Sequence, residues 1–284
     1  MPAMPRPPRT SRTAPPESPG WSEVPVRRLR EGVPRTEVDR LAIEAPLEIR
    51  FGDRPFTVLM RTPGNDEELV AGFLYSEGLI QGAAEILALA HPEALLEGDC
   101  ENVVAVELAG SGPVVERTFY ASASCGVCGK SSIADLAIRA PVVESKLRIA
   151  RQVLEALPQR LRAEQSIFAE TGGLHGAALF DASGTLVAAR EDIGRHNAVD
   201  KLVGWALAQG RLPLAEAVLM VSGRLGFEIV QKAIVAGLPV IASVGAASSI
   251  AVGLAERFGL TLATFVRPGS LNLYGEKEGQ ARIF

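Results

Sequence analysis

Apolar residues in the second half of the chain fall into short continuous runs separated by amphipathic stretches, and this pattern predicts most of the fold. Strands are expected over 177–180 and 186–190, hinged at Asp181-Ala182-Ser183-Gly184, followed by a helix over 198–208. A strand over 217–222, a helix over 227–236, a strand over 240–244, a helix over 249–258 and a strand over 260–266 complete the alternation. Repeated α and β elements with short connections imply a mainly parallel sheet flanked by helices, a three-layer α/β domain. Residues 233–255 carry no charge and match the length of a membrane span. Gly237-Leu238-Pro239, Gly245, Ser248 and Ser249 divide them into helix, strand and helix pieces, which reads as a buried β-α unit.

The first half reads as α+β. Runs over 46–51 and 55–62 flank Gly52-Asp53 as a hairpin. Asn65-Asp66-Glu67-Glu68 opens a helix through Leu69, Phe73 and Leu74 that stops at Gly78, its acids placed favourably at the N-terminus. A second hairpin over 103–108 and 114–120, turning at Gly110-Ser111-Gly112, delivers the chain to a small-residue loop, 121–131. Ser132 and Asp135 then have capping-box spacing for a short helix. A helix over 145–157 is expected to break at Pro158, and a short helix reaching Phe168 to end at Gly172-Gly173. The predicted organisation is a disordered Pro/Arg-rich tail, 1–37, an α+β domain, 38–140, a helical connector, 141–170, and an α/β domain, 171–284.

Composition narrows the class. The first thirty residues hold eight prolines and six arginines, with no apolar block of the roughly 7–15 residues that a signal peptide needs. A net charge of -4 over 284 residues argues against a nucleic-acid binder held through phosphates. Three cysteines make no disulfide framework, and with Cys100 left over a reducing cytoplasm is the expected location.

Candidate chemistry gathers in two places. The first is Ser124-Cys125-Gly126-Val127-Cys128-Gly129, where two thiols share a flexible backbone. Such a pair serves metal ligation, dithiol redox or sulfur carriage, because the thiolate is the reactive form and this spacing can lower its pKa below about 8.5. The second is the set of strand ends, where open α/β sheets bind ligands. The end at 190 runs into Glu191-Asp192-Ile193-Gly194-Arg195-His196-Asn197, that at 222 into Ser222-Gly223-Arg224, and that at 266 into Arg267-Pro268-Gly269-Ser270. Glycine permits close backbone approach and arginine presents a planar fork of donors, a combination suited to phosphate. Pairing of these arginines with Glu191, Asp192 and Glu228 is the structural alternative. His175 and His196 are glycine-flanked candidates for ligand contact, whereas His91, before Pro92, is expected to face solvent. Zinc deamination is disfavoured: neither His175 nor His196 has a glutamate two residues on, and no proline precedes Cys125. The Ser/Ala/Gly-rich loop favours a swinging sulfur carrier over the fixed geometry that dithiol redox requires.

Taken together, the motifs resemble the FdhD/NarQ family of formate dehydrogenase accessory sulfurtransferases from about residue 40 to 274. The likeness rests on Cys125-Gly126-Val127-Cys128-Gly129, on Thr171-Gly172-Gly173-Leu174-His175 and on the run from Glu191 to Lys201. It continues through Ser222-Gly223-Arg224, Lys232-Ala233, Ala236-Gly237 and Phe265-Val266-Arg267. The resemblance implies a cytidine-deaminase-like, three-layer C-terminal α/β domain without a catalytic metal of its own, beside the smaller α+β domain. It implies that a cysteine desulfurase supplies sulfur, which passes to a molybdenum (or tungsten) bis(molybdopterin guanine dinucleotide) held as cargo for formate dehydrogenase, the client. It makes Cys125 the persulfide carrier and Cys128 its partner. The guanine-nucleotide cargo would meet Phe265, Val266, Arg267, Pro268, Gly269 and Ser270, with Gly172, Gly173, His175, Arg195, His196, Ser222 and Arg224 at the neighbouring strand ends. A dithiol oxidoreductase and a non-catalytic cofactor chaperone are the rival readings. No nucleic-acid or membrane partner is expected, and domain packing leaves room for a homodimer without requiring one.

Overall fold

The computed structural model describes residues 20–92, 100–110, 140–276 and 282–284. Cys125 and Cys128, the second strand of the predicted 103–120 hairpin and the Ser132 helix lie outside the described residues.

The described residues form three sheets. Ordered structure starts before Val38, contrary to the expected tail: β1 (Trp21–Arg30) and β2 (Val33–Ala42) pair antiparallel as a two-stranded ribbon. The turn between them places Glu31 and Gly32 at φ 52° and 81°. Two consecutive positive φ values are what a two-residue hairpin needs to match the strand twist.

A four-stranded sheet follows, in the order β4-β3-β6-β5, built from β3 (Ala45–Phe51), β4 (Arg54–Arg61), β5 (Ile86–Ala90) and β6 (Val103–Leu108). Helix α1 (Asp66–Ser76) covers it, burying Leu69, Val70 and Leu74 against Leu47, Ile49 and Val104. The acids Asp66, Glu67 and Glu68 occupy its first turn, complementing the helix dipole.

The main sheet has six strands in the order β12-β11-β10-β9-β7-β8. They are β7 (His175–Phe180), β8 (Leu186–Asp192), β9 (Val218–Val221), β10 (Val240–Ser243), β11 (Thr261–Arg267) and β12 (Ser270–Tyr274). This sheet corrects the mainly parallel expectation. Only β9-β10 and β10-β11 run parallel, while β7 pairs antiparallel with both β8 and β9, and β12 with β11. The reversal has a functional consequence, because it brings the start of β7 to the same edge as the ends of β8 to β11. The uncharged stretch 233–255 resolves into the end of α5, β10 and most of α6, and no described helix is long and apolar enough to cross a membrane.

Helices cover both faces. On one lie α4 (Arg195–Ala208), α5 (Phe227–Val235) and α6 (Ser249–Phe258), packing Leu202, Ile229 and Phe258 onto Leu179, Leu219 and Leu262. On the other lies α2 (Arg151–Glu164), whose Leu154, Leu157 and Leu161 meet Phe180, Val218 and Met220.

Two expectations about this second helix are corrected. Residues 145–150 are extended, since Val143, Leu147 and Ile149 are buried in alternation with exposed Glu144, Lys146 and Arg148, a period of two rather than 3.6. Helix α2 also continues through Pro158 to Glu164. A leucine stripe spaced at three and four residues keeps it seated on the sheet, and that burial offsets the hydrogen bond proline cannot make. The short helix α3 (Ser166–Thr171) then ends at Gly172, φ 66°, as its glycine suggests.

The two cores meet where α1 crosses α4. A Cβ on Gly72 would lie 1.8 Å from the Asp200 carbonyl oxygen, and one on Gly204 1.9 Å from that of Glu68. The backbones therefore touch at a glycine pair. Arg190 on β8 clasps Glu68 of α1 through Nε and Nη2 at 2.5 and 2.6 Å, adding a bidentate link between the same two parts.

Candidate functional site

The strand ends at this edge are laced together by backbone bonds. Leu225 N–H donates to the Ala246 carbonyl at 2.9 Å, Ser248 N–H to that of Leu225 at 2.9 Å, and Phe265 N–H to that of Gly245 at 3.1 Å. The hydroxyl of Ser243 donates to the Gly223 carbonyl and accepts from Gly245 N–H at 2.9 Å. A Cβ on Gly245 would stand 3.2 Å from the Arg224 backbone, so glycine is what lets the loops after β9 and β10 lie side by side. Phe265, 45% exposed, adopts φ 50° at the bulge between Thr264 and Arg267. A bulky residue with positive φ at a strand end is a strained position of the kind that marks ligand sites.

Two adjoining cavities open along this edge under α2 and α3. One, of about 460 Å³, has Gly172, Gly173, His175 and Ser222 in its wall, with Arg162 and Phe168 opposite. The other, of about 610 Å³, is walled by Phe265, Val266, Arg267 and Pro268 from β11 and by Gln152, Glu155 and Gln159 from α2. Pro158 and Val244 line both, which makes them one continuous cleft. Gly269 N–H donates to Glu155 Oε2 at 3.0 Å, tying the 267–270 turn to α2. Ser270 starts β12 rather than extending a strand-end loop.

Within the first cavity, Gly176 N–H donates to Ser222 Oγ at 2.9 Å and Ser222 N–H to the Gly176 carbonyl at 2.9 Å, joining β7 to the end of β9. A Cβ on Gly223 would sit 3.5 Å from His175 Nδ1 and 3.7 Å from Arg195 Cδ, so these three residues share one spot. Burial, with Arg195 and His196 adding to it, pushes the His175 pKa down against the pull of Asp192. The imidazole is therefore neutral near pH 7, one nitrogen donating and the other accepting.

His196, which like Arg195 and Arg224 lines neither cavity, meets Glu228, Nε2 to Oε2 2.6 Å. Burial works to raise the Glu228 pKa, but the hydrogen bond from His196 and the charges of His196, Lys232 and Arg195 outweigh it and hold it low. Arg224 is exposed at the end of β9. The side chains of Arg224 and Arg267 make no hydrogen bond or ion pair among the described residues.

The structural alternative for the arginines is answered by where the carboxylates go. Glu191 accepts from Ile167 and Phe168 N–H at the start of α3, 3.0 and 2.9 Å. Asp192, fully buried, meets Lys201 at 2.7 Å and accepts from Gly194 N–H at 2.8 Å, Asn197 Nδ2 at 2.9 Å and Thr62 N–H at 3.2 Å. Glu228 takes His196. Each is engaged elsewhere, although Arg195 lies within electrostatic reach of Glu228. Asp192 thereby fixes the turn that carries Arg195 and His196 and ties it to the end of β4. Asp192→Asn is expected to lower unfolding free energy by about 3–5 kcal/mol, because the buried Lys201 ammonium loses its counter-charge. Urea unfolding measures this, and Asp192→Asn/Lys201→Met should recover much of the loss.

Lys232, also buried, pairs with Asp200 at 2.9 Å. Burial opposes its charge, but Asp200, Glu77 and Glu228 outweigh that and raise its pKa. The motif residues Asp192, Asn197, Asp200, Lys201 and Lys232 are thus internal struts. Residues from α2 and α3 that line the cleft, Gln159, Arg162, Gln165 and Phe168, were not foreseen from sequence. Arg162 stacks on Phe168, 3.8 Å from guanidinium to ring centre, and an arginine-aromatic pair six residues apart across Gln165 was the signal available.

The FdhD/NarQ family model matches residues 42–281, which includes every element of the cleft. The chain belongs to the FdhD/NarQ family. Relatives in the family span most of its length: the sulfur carrier protein FdhD of Mycobacterium bovis is 48% identical over 261 residues, covering 88% of this chain and 94% of its own. That of Streptomyces avermitilis is 48% identical over 268 residues, 91% of this chain and 94% of its own. That of the archaeon Sulfurisphaera tokodaii is 44% identical over 258 residues, 90% and 97%. A crystal structure from Desulfotalea psychrophila, assigned to a formate dehydrogenase accessory protein, superposes with a TM-score of 0.71 at 26% identity, over 94% of this chain and all of that one.

Proposed function

We propose that this FdhD/NarQ chain is a sulfur carrier that serves formate dehydrogenase. In this reading it takes sulfur from a cysteine desulfurase and passes it to a guanine-dinucleotide molybdenum or tungsten cofactor bound in the cleft. The observation that carries it is a sheet edge that gathers the N-termini of α4, α5 and α6 with Arg224 and Arg267, whose side chains have no hydrogen bond or ion pair among the described residues. Helix N-termini favour anions and guanidinium forks favour phosphate, so the edge suits a diphosphate-bridged dinucleotide. Phe265 and Val244, both partly exposed, offer flat apolar surface for a base or pterin ring.

The transfer follows from thiol exchange. A Cys125 thiolate attacks the terminal sulfur of the donor's persulfide; the new Cys125 S–S bond forms as the donor's S–S bond breaks, and the donor leaves as its thiolate. No net oxidation occurs, and Cys125 leaves the step as a persulfide ready for the cargo.

Two measurements test the reading. Intact-protein mass spectrometry after incubation with a cysteine desulfurase and cysteine should show a reductant-sensitive gain of one or more sulfur atoms. No gain, together with bound zinc or an internal disulfide, would move the case to metal binding or dithiol redox. Calorimetric titration with GDP should show binding that Arg267→Ala weakens by about 1–3 kcal/mol, the scale of a lost charge-assisted hydrogen bond. Equal affinity would take Arg267 out of the site.

A further inference from the structure

The β1-β2 ribbon stands outside the cores that hold the rest of the protein, and it precedes the stretch matched by the family model. Its register sets Pro25 opposite Val38 and Leu29 opposite Pro34, and the two-residue strand period puts all four on one face. All four are exposed, Leu29 at 67% and Val38 at 65%. A two-stranded sheet is marginal by itself in water, so a ribbon with an open apolar face gains from a covering surface.

The charge pattern says what kind of surface. Arg28 is held on the opposite face by Glu37 and Asp39, 3.0 and 3.1 Å. The side chains of Arg27, Arg30 and Arg35, towards the tip, make no ion pair or hydrogen bond among the described residues. Residues 27–35, the end of the ribbon, hold four arginines and one acid, a net of +3 on a chain whose net charge is -4. Positive charge is concentrated at the end of this arm, and two exposed apolar pairs on either side of Arg27 complement an acidic patch with apolar contacts.

The base of the ribbon is anchored at the rim of the cleft. Arg40 bonds Glu170 of α3 and stacks over Trp21, 4.3 Å from the ring centre. Ala42 closes against Gly173, where an added Cβ would lie 3.2 Å away. Gly173 belongs to the wall of the 460 Å³ cavity. A protein that withdraws cargo from the cleft must therefore come within reach of the arm, whereas a sulfur donor needs only the thiol of Cys125.

We propose that the ribbon is a docking arm for an acidic patch with apolar contacts on the cofactor-free dehydrogenase that accepts the cargo; this rests on the cleft being the cargo site. The test is biolayer interferometry of the full chain against purified cofactor-free formate dehydrogenase from the same cell, at several salt concentrations. Binding should weaken with salt. Arg27→Glu/Arg30→Glu/Arg35→Glu and, separately, Leu29→Ser/Val38→Ser should each raise Kd about tenfold or more. GDP affinity and persulfide loading should stay at wild-type levels in both. Wild-type Kd in both variants overturns the arm while leaving the cargo reading intact. A loss confined to desulfurase binding, or to self-association with dehydrogenase affinity unchanged, overturns it in favour of those partners. A wild-type chain that binds no cofactor-free dehydrogenase overturns both the arm and the assignment of that client, whereas failure of GDP to bind removes the cargo reading alone.

Discussion

Gly204→Ala is expected to prevent the chain from reaching its native fold, and Gly72→Ala to do the same. An added methyl at either position meets a backbone carbonyl of the facing helix at less than 2 Å, 1.9 Å for Gly204 and 1.8 Å for Gly72. No side-chain rotamer can relieve such a clash, so α1 and α4 would have to separate. Their separation would open the seam where Tyr75 packs against both the four-stranded core and the core beneath α4. Ordinary overpacking costs about 1–3 kcal/mol; a change that parts two cores belongs with the rare substitutions above about 4–5 kcal/mol. Gly253 in α6 is the control, since a Cβ there meets nothing within 4 Å. Gly253→Ala should stabilise by roughly 0.5–1 kcal/mol through helix propensity alone. Circular dichroism melts of the three variants decide the matter, and a Gly204→Ala protein melting with the wild type would disprove the helix contact.

That contact was invisible in the sequence. Gly72 and Gly204 sit mid-helix in patterns that read equally well as two independent amphipathic segments, and nothing local says that they face each other. The alternation from β7 to β11 was legible for the opposite reason. Its strands are short apolar runs, Val218–Val221 and Val240–Ser243 fully buried, and each is bounded by glycine and polar residues that cannot extend it. Direction is another matter, because strand orientation is decided by connections across the sheet. The antiparallel placement of β7 therefore had to be seen. The extended stretch before α2 was misread because its basic residues suggested a helix face, while the alternation of Val143, Leu147 and Ile149 already gave the strand period. The ribbon was missed because arginine and proline dilute its apolar positions. Its Glu31-Gly32 turn was the available sign.

For the site, the rule that ligands gather at strand ends, applied through glycine and arginine spacing, led to His175, Ser222, Arg224 and Arg267, of which His175, Ser222 and Arg267 line the cleft. The cleft's other wall comes from α2 and α3, which the Pro158 reading had cut apart. The charged residues of the run from Glu191 to Lys201 include buried struts, and none of them lines either cavity. Asp192 and Lys201 could not be sorted from half-buried Arg195 by sequence alone, since a buried pair and a partly exposed group use the same residue types. Burial does the sorting: Asp192 and Lys201 are 0% and 2% exposed, and their neighbours on the backbone satisfy them.

Cys125→Ala is expected to abolish sulfur transfer entirely. A displacement at sulfur requires a thiolate, and the reactivity of a Cys-x-x-Cys thiol comes from the lowered pKa that keeps part of it ionised near pH 7. Alanine removes the nucleophile itself rather than tuning it, so the sulfur mass gained from the desulfurase should vanish and dependent formate dehydrogenase activity should fall to background. The exchange of a thiol for a hydrogen is small, and the melting temperature and GDP affinity should hold. Cys128→Ala separates the two thiols: retention of the added sulfur makes Cys125 sufficient as carrier, whereas its loss makes the pair a unit. The rivals predict different patterns. A dithiol oxidoreductase would lose turnover in both variants and show a defined reduction potential without any desulfurase. A chaperone would support the dehydrogenase with both cysteines replaced, because only the cleft would matter. Full dehydrogenase activation by Cys125→Ala would therefore end the carrier assignment and leave the cleft as the whole of the function.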